Sequence, residues 1–440
     1  MPRSPEHPAS RQTIRRLAAA VAVTAATAIA ACGQARSPGV ISERFDLPSG
    51  APVTVDVLLQ PDHAGQAERY LSAARTTITE YADRFRITPF TSLRIVDPGW
   101  SPGAAGATVP AGDATTVVAD TRLFAPRLAM EPEMAVTRAV GTRLWQKALS
   151  CGADVGSFIE GLNQYASTPV VASQFDVQQT PPAFAYAEIR YFGGFIPRVL
   201  RIPLRNATAG NGLDDYRRHP TVDLRKPPAG ARDRRSAAAK TALAMGTLER
   251  WIGAPTWDAV LEEFASRRWA HCPGPVDLEH VAQDVTGLDL SWFFSQVFDS
   301  VETFDYGVES LTSTSGAGSQ MYRTAVTVRR YGGAEFTGTS APRVGAFESG
   351  RGMQLRLVFE DGSEHVDSWD GRDQSRLFTY ESTSPVRSAT IDPGDVLLLD
   401  TNRTNNSRMR VPAGPEAATK WAARWALWLQ DLLLSYASLV

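Results

Sequence analysis

At 440 residues, with 43% hydrophobic, 21% charged and 9% aromatic side chains, the chain has room for about three domains. That composition excludes global disorder, a collagen-like fibre and a polytopic membrane protein. The formal net charge is −2, and taking away residues 1–31, with their four arginines and one glutamate, leaves −5, which argues against nucleic acid as a partner because phosphate binding needs a concentrated basic footprint.

The N-terminus reads as an export signal. Arg11, Arg15 and Arg16 precede an apolar, alanine-rich run from Leu17 to Ala31, the length of a signal-peptide core. The run ends Ile29-Ala30-Ala31-Cys32, which resembles a bacterial lipobox, where small residues precede a cysteine that is acylated and becomes the new N-terminus. Residues 1–31 are thus expected to be a lipoprotein-type signal peptide and Cys32 the lipidation point of an exported, cell-envelope protein. An uncleaved anchor helix is the alternative, although the run is short for a span of about 20 residues. The Arg15-Arg16 pair is also compatible with twin-arginine export.

Residues 32–58 are expected to hold a tether and one remnant strand: 33–50 are poor in large apolar side chains, whereas Val53 to Leu58 alternates as a strand does. Ala64 to Phe85 carries apolar residues at helical spacing, Ser92 to Val96 reads as a second strand, and Gly99 to Gly112 as a glycine- and proline-rich loop. Helices are expected over 133–149, 155–166, 234–252, 257–267, 277–285 and 289–298. The arginine-rich stretch 168–230 interrupts them and is too long for an ordinary loop, so it must hold short elements. After Ser300 the period changes to two, with strands expected at 322–330, 353–359, 376–380 and 388–391 and turns at Gly332-Gly333, Asp361-Gly362 and Asp370-Gly371. The fold class is therefore α+β and multidomain. A mainly helical domain over 59–300 precedes a small antiparallel β-sandwich over 301–410.

The last segment, 415–440, reads as an amphipathic helix. Lys420, Arg424, Asp431, Ser435 and Ser438 share one narrow stripe, and Trp421, Trp425, Trp428, Leu432, Leu433 and Tyr436 cover the rest. A wide apolar face with three tryptophans suits a membrane interface, and Asp431 makes a full span costly. Packing on the protein's own surface is the competing reading.

With Cys32 lipidated, Cys151 and Cys272 remain. In an oxidising compartment they are either a disulfide or two buried thiols. The histidines restrict the chemistry further: His7, His63, His219, His271, His280 and His365 include no pair at i and i+4, the spacing by which a helix presents two imidazoles to one zinc ion.

Phe158-Ile159-Glu160-Gly161-Leu162-Asn163-Gln164-Tyr165 nevertheless resembles the EG(F/L)xxY helix of the gluzincin aminopeptidases, the membrane alanyl aminopeptidase family. Upstream, Arg138 to Trp145 is similar to that family's HEFGHQFW segment: Gly141 and Trp145 agree, and 17 residues separate Thr142 from Glu160, one fewer than in the family. "TLERWIGAPTW", "GLDLSWFFSQVF", "WDGRDQSRLFTYE" and "LLLDTNRTNNS" extend the resemblance over about 40–440, without the family's large N-terminal β-domain. It implies a thermolysin-like peptidase domain with a degenerate site. The zinc-binding histidines fall on Arg138 and Thr142, the general base on Ala139, and the oxyanion-stabilising tyrosine on Ala238 if the family's lysine is Lys240. The substrate-gripping GxMEN strand falls on Gly106 to Pro110, which carries no acid. Of the metal ligands only Glu160 is kept, and no histidine lies between His63 and His219 to replace the others.

The resemblance thus implies a pseudopeptidase: no catalytic residues, no metal, the family's zinc lost, and Arg138 free to pair with Glu160 where the ion would sit. Its expected partners are membrane lipid, through Cys32 and the C-terminal helix, and a peptide, for which the cleft between the helical domain and the sandwich is the expected place, or a membrane protein. Two alternatives are a hydrolase with a rearranged site, for which His271, Glu279 and His280 are the clustered candidates, and a structural subunit of a membrane complex.

Overall fold

The computed structural model describes residues 39–47, 50–59, 64–96, 116–118, 131–152, 155–174, 212–213, 215–315, 321–338 and 352–412, with isolated positions at 414, 418–419, 422 and 425–426. The expected signal peptide over 1–31, Cys32, the expected loop over 99–112, Trp421 and Trp428 lie outside these residues.

The chain opens with a four-stranded mixed sheet. Strand β1 (Gly39–Asp46) pairs antiparallel with β2 (Pro52–Leu59), and β2 pairs parallel with β3 (Ser92–Val96), which pairs parallel with β4 (Thr116–Val118). A parallel neighbour requires a crossover, and helix α1 (Ala67–Phe85) supplies it. Val53, Val55, Val57 and Leu59 of β2 are buried with Leu93 and Ile95 of β3. Against them α1 turns Leu71, Ala74, Ile78, Tyr81 and Phe85, one apolar face at helical spacing.

Two expectations are corrected here. Residues 39–46 belong to a strand and not to the tether, and the division at residue 58 falls inside β2, which shares one sheet with β3. The cause is that β1 is an edge strand: Val40 is exposed, and its place is set by backbone pairing with β2 and an ion pair from Glu43 to Arg75 on α1. Neither leaves an alternating apolar signature.

Among the described residues the longer helices that follow are α2 (Glu131–Ala148), α3 (Gly156–Gln174), α4 (Ala231–Ile252), α5 (Ala254–Ser266), α6 (Pro275–Thr286) and α7 (Ser291–Phe298). The expected end of α3 at 166 is too early, because the helix runs through Pro169. Proline costs one backbone hydrogen bond there. Ser167 and Thr168 hydroxyls both bond to the Gln164 carbonyl in the same turn, and Val170 and Val171 are buried beyond it.

Arg84 of α1 ties four helices together, with Nε 2.7 Å from Asp258 of α5, and Nη2 3.0 Å from the Tyr165 hydroxyl of α3 and 3.4 Å from Glu249 of α4. A disulfide joins Cys151, just past α2, to Cys272, ahead of α6, across 121 residues.

Residues 306–409 form two antiparallel sheets. One has the order β5 (Tyr306–Ser315), β6 (Tyr322–Arg330), β9 (Ser375–Ser382); the other runs β11 (Ser407–Met409), β10 (Val386–Ile391), β7 (Met353–Phe359), β8 (Glu364–Trp369). Strands β5, β8 and β11 were not legible one by one, because β8 and β11 are mostly exposed and β5 is buried at one end only.

Trp251 of α4, Trp292 of α7 and Phe336 of the β-domain pack edge-on at 5.4–5.9 Å between centroids, so helices and sheets share one core. Gln296 locks the contact, donating to the Glu335 carbonyl and accepting from its amide. At the C-terminal end Trp425 is exposed, and among the described residues no helix is long and apolar enough to cross a membrane.

Candidate functional site

The residues matched to the peptidase motifs lie on three adjacent helices. Arg138, Ala139 and Thr142 are on α2, Glu160 is on α3, and Ala238 and Lys240 are on α4. The helices approach closely because glycine stands at both crossings. A side chain at Gly141 would strike the Tyr81 hydroxyl and Asn163, and one at Gly161 would lie 2.5 Å from the Ala238 carbonyl oxygen and against Thr241.

The centre of the α2–α3 contact is occupied by Asn163, which the motif comparison did not single out. Its Nδ2 donates to the Arg138 carbonyl and to Thr142 Oγ1, both at 2.9 Å, and its Oδ1 accepts from the Tyr81 hydroxyl at 2.9 Å. Thr142 Oγ1 in turn donates to the Arg138 carbonyl at 2.9 Å. All members are buried or half-buried, and burial pushes the Tyr81 hydroxyl far above its ordinary range, so it stays protonated and donates. The one hint in the sequence was a polar residue three positions after Glu160, on the same helical face.

Ala139 is half-buried and packs against the core. Ala238 is buried where α3 and α4 touch. Lys240 is buried too, with Nζ 3.2 Å from the Ser300 carbonyl and 3.5 Å from that of Val222, and burial lowers its pKa to about 8. It braces the helical domain from within.

Glu160 pairs with Arg234, 3.5 Å away in the first turn of α4, so the expected partner, Arg138, is corrected. The charge comes from a segment outside the matched motifs. Arg138 is half-buried; burial lowers its pKa, opposed only by the field of Asp215. Asp215 itself pairs with Arg235 at 3.8 Å.

Among the described residues, the candidates His271, Glu279 and His280 are not brought together by a hydrogen bond or ion pair. His271 is exposed and lies 3.5 Å from Asp277 at the start of α6. His280 is exposed one residue after Glu279, whose carboxyl burial pushes upward. Among the described residues no group of three His, Cys, Asp or Glu side chains is placed to hold a metal ion.

No protein-family model matches the chain, and no curated protein matches it. Among solved structures it is similar to the crystal structure of Legionella pneumophila aminopeptidase A in complex with aspartic acid, with a TM-score of 0.52 and 13% sequence identity. The match covers 82% of this chain and 38% of that one. At that identity the likeness is one of fold, and the chain spans well under half the length of the aminopeptidase.

Proposed function

We propose that the protein is an exported, lipid-anchored, non-catalytic member of the gluzincin aminopeptidase fold, retained to bind peptide or to scaffold a partner at the membrane. One observation carries the reading: the α2 face that should present two imidazoles and a carboxylate presents Arg138, Ala139 and Thr142.

These residues do not fit a zinc ion. A catalytic zinc takes three protein ligands and keeps one open position for water. Here the Thr142 hydroxyl is committed between the Arg138 carbonyl and the Asn163 amide, Arg138 has no lone pair to give, and Glu160 faces Arg234. With Ala139 in place of a base, no group on this face takes a proton from water. What remains is a helix face that carries fixed charges, which on this reading serves to hold a ligand and not to cleave it.

Anchoring through Cys32 would keep this face at the envelope, and the tryptophan-rich 415–440 segment supplies a second contact with lipid. Incubating the full-length protein with aminoacyl p-nitroanilides and short peptides, with and without chelator, is expected to give no turnover above background. Chelator-sensitive hydrolysis that disappears in Glu160→Gln would overturn the proposal.

A further inference from the structure

The loop between Leu399 and Asn406 runs along the seam between the helical domain and the sheets. The Tyr216 hydroxyl donates to the Leu399 carbonyl at 3.0 Å, and the Thr401 amide to the Phe304 carbonyl at 3.0 Å. The Val308 amide donates to the Asn405 carbonyl at 2.9 Å, and the Ile391 amide to the Asn406 carbonyl at 2.8 Å. The loop backbone is therefore fixed from several sides. Its side chains are not satisfied to match. Among the described residues, four buried side-chain oxygens lack a hydrogen-bond partner, and three of them belong to this loop: Asp400 Oδ2, Asn405 Oδ1 and Asn406 Oδ1.

Two carboxylates set the orientation of both amides. Asn405 Nδ2 donates to Asp305 Oδ1 at 2.7 Å, and the Asn406 amide donates to the Asp400 carboxylate. Turning either amide over would set oxygen against oxygen, so each keeps its carbonyl oxygen to spare. Asp400 is 0% exposed. Its Oδ1 accepts from the Asn402 amide at 2.9 Å, and its carboxyl lies in the field of Asp305. Among the described residues neither carboxylate has a lysine, arginine or histidine partner. Arg403, the loop's own cation, turns instead to Asp395 and to the Leu397 carbonyl. Burial above all, with the charge of Asp305 adding to it, pushes the Asp400 carboxyl up to about 6, and burial raises Asp305 as well.

Every group left over is an acceptor, and the charge beside them is negative, so their natural partner carries positive charge. A proton on Asp400 would satisfy its own carboxyl and at most one amide oxygen. A water brings two hydrogens and no charge. A hard cation accepts electron pairs from all of these oxygens together: calcium is held by carboxylates, amide carbonyls, backbone carbonyls and water, without nitrogen or sulfur ligands. We propose that Asp305, Asp400, Asn405 and Asn406 form a calcium site that fastens the β-domain to the helical domain. It is a different set of residues from the α2 and α3 positions matched to the peptidase motifs, and its role is structural.

The test uses the full-length protein, stripped with chelator and desalted. Calcium binding is measured by equilibrium dialysis and thermal unfolding is followed with calcium chloride or with sodium chloride at the same ionic strength. One equivalent is expected to bind with a dissociation constant of about 10⁻⁴–10⁻³ M, the range of sites with few charged ligands. Calcium at about 10 mM should raise the unfolding midpoint by about 2–5 °C over the sodium control. Asp400→Asn and Asp305→Asn should each weaken binding by about tenfold or more. Without calcium, Asp400→Asn should be at least as stable as the unaltered protein, because it removes a buried charge; a merely structural aspartate would show only the loss. Where one variant fails to fold, the other decides. No saturable binding up to 10 mM, or binding that survives both substitutions, overturns the proposal.

Discussion

Removing the Cys151–Cys272 bridge is expected to lower the unfolding free energy by about 2–5 kcal/mol. The bridge closes a loop of 121 residues, and the chain entropy that a cross-link removes from the unfolded state grows with the logarithm of loop length. Cys151 follows directly on α2, whose last turn is held by the Gln146 side chain bonding to the Gly152 carbonyl at 3.0 Å. Cys272 lies on the exposed segment before α6, so reductant reaches it. Denaturant titrations of Cys151→Ser, Cys272→Ser and the double variant should give the same loss in all three, with the midpoint moved and the slope little changed. Stability equal to that of the oxidised protein would show that the helical domain holds without the covalent link. A preparation kept reduced should behave as the double variant does.

Gly161→Ala is expected to cost about 1–3 kcal/mol by overpacking, although alanine is the better helix former. The added methyl would meet the Ala238 carbonyl oxygen at 2.5 Å and crowd Thr241. Backbone oxygen cannot swing aside as a side chain can, so α3 and α4 must move apart. That separation would disturb Glu160 and Arg234, which face each other across the same crossing. Thermal denaturation of Gly161→Ala beside Gly156→Ala separates packing from backbone effects: Gly156 has open space around its Cα and a positive φ of 64°, so its cost is one of conformation alone. An unchanged midpoint for Gly161→Ala would mean that the two helices are not in close contact.

The sequence made some parts of this architecture visible and concealed others for physical reasons. Long elements with one buried face were legible. The alternation of Val53, Val55 and Val57 and the helical spacing of Leu71, Ala74 and Ile78 are direct consequences of burial. Edge strand β1 was hidden because its stabilisation is backbone pairing, which leaves no side-chain period. The true length of α3 was hidden by Pro169, a residue that normally stops a helix but is tolerated here where buried valines continue the packing.

At the site, the composition told more than the motifs did. The absence of any histidine between His63 and His219 bears on the metal whatever the alignment of the helices. The pairing of charges was not legible. Glu160 sits with Arg234, and nothing in the spacing of the two matched motifs signals a partner about seventy residues downstream. Asn163, which holds α2 and α3 together through three hydrogen bonds, looked like an ordinary helix residue because a buried polar side chain carries no periodic mark.

On the proposed non-catalytic reading, the contact between α2 and α3 has to hold without a metal. Zinc would have bridged α2 and α3 through its ligands. Here the Asn163–Thr142–Tyr81 hydrogen bonds and the glycine-mediated contacts bridge them instead. A buried network whose members are all satisfied specifies one arrangement of the helices without metal.

The most direct test of that account is calorimetric titration of zinc into the full-length protein and into a variant with Arg138→His, Ala139→Glu and Thr142→His introduced together. The account expects no stoichiometric site in the unaltered protein, whereas the triple variant gains one that also needs Glu160. One equivalent of zinc bound by the unaltered protein and lost in Glu160→Gln would contradict it.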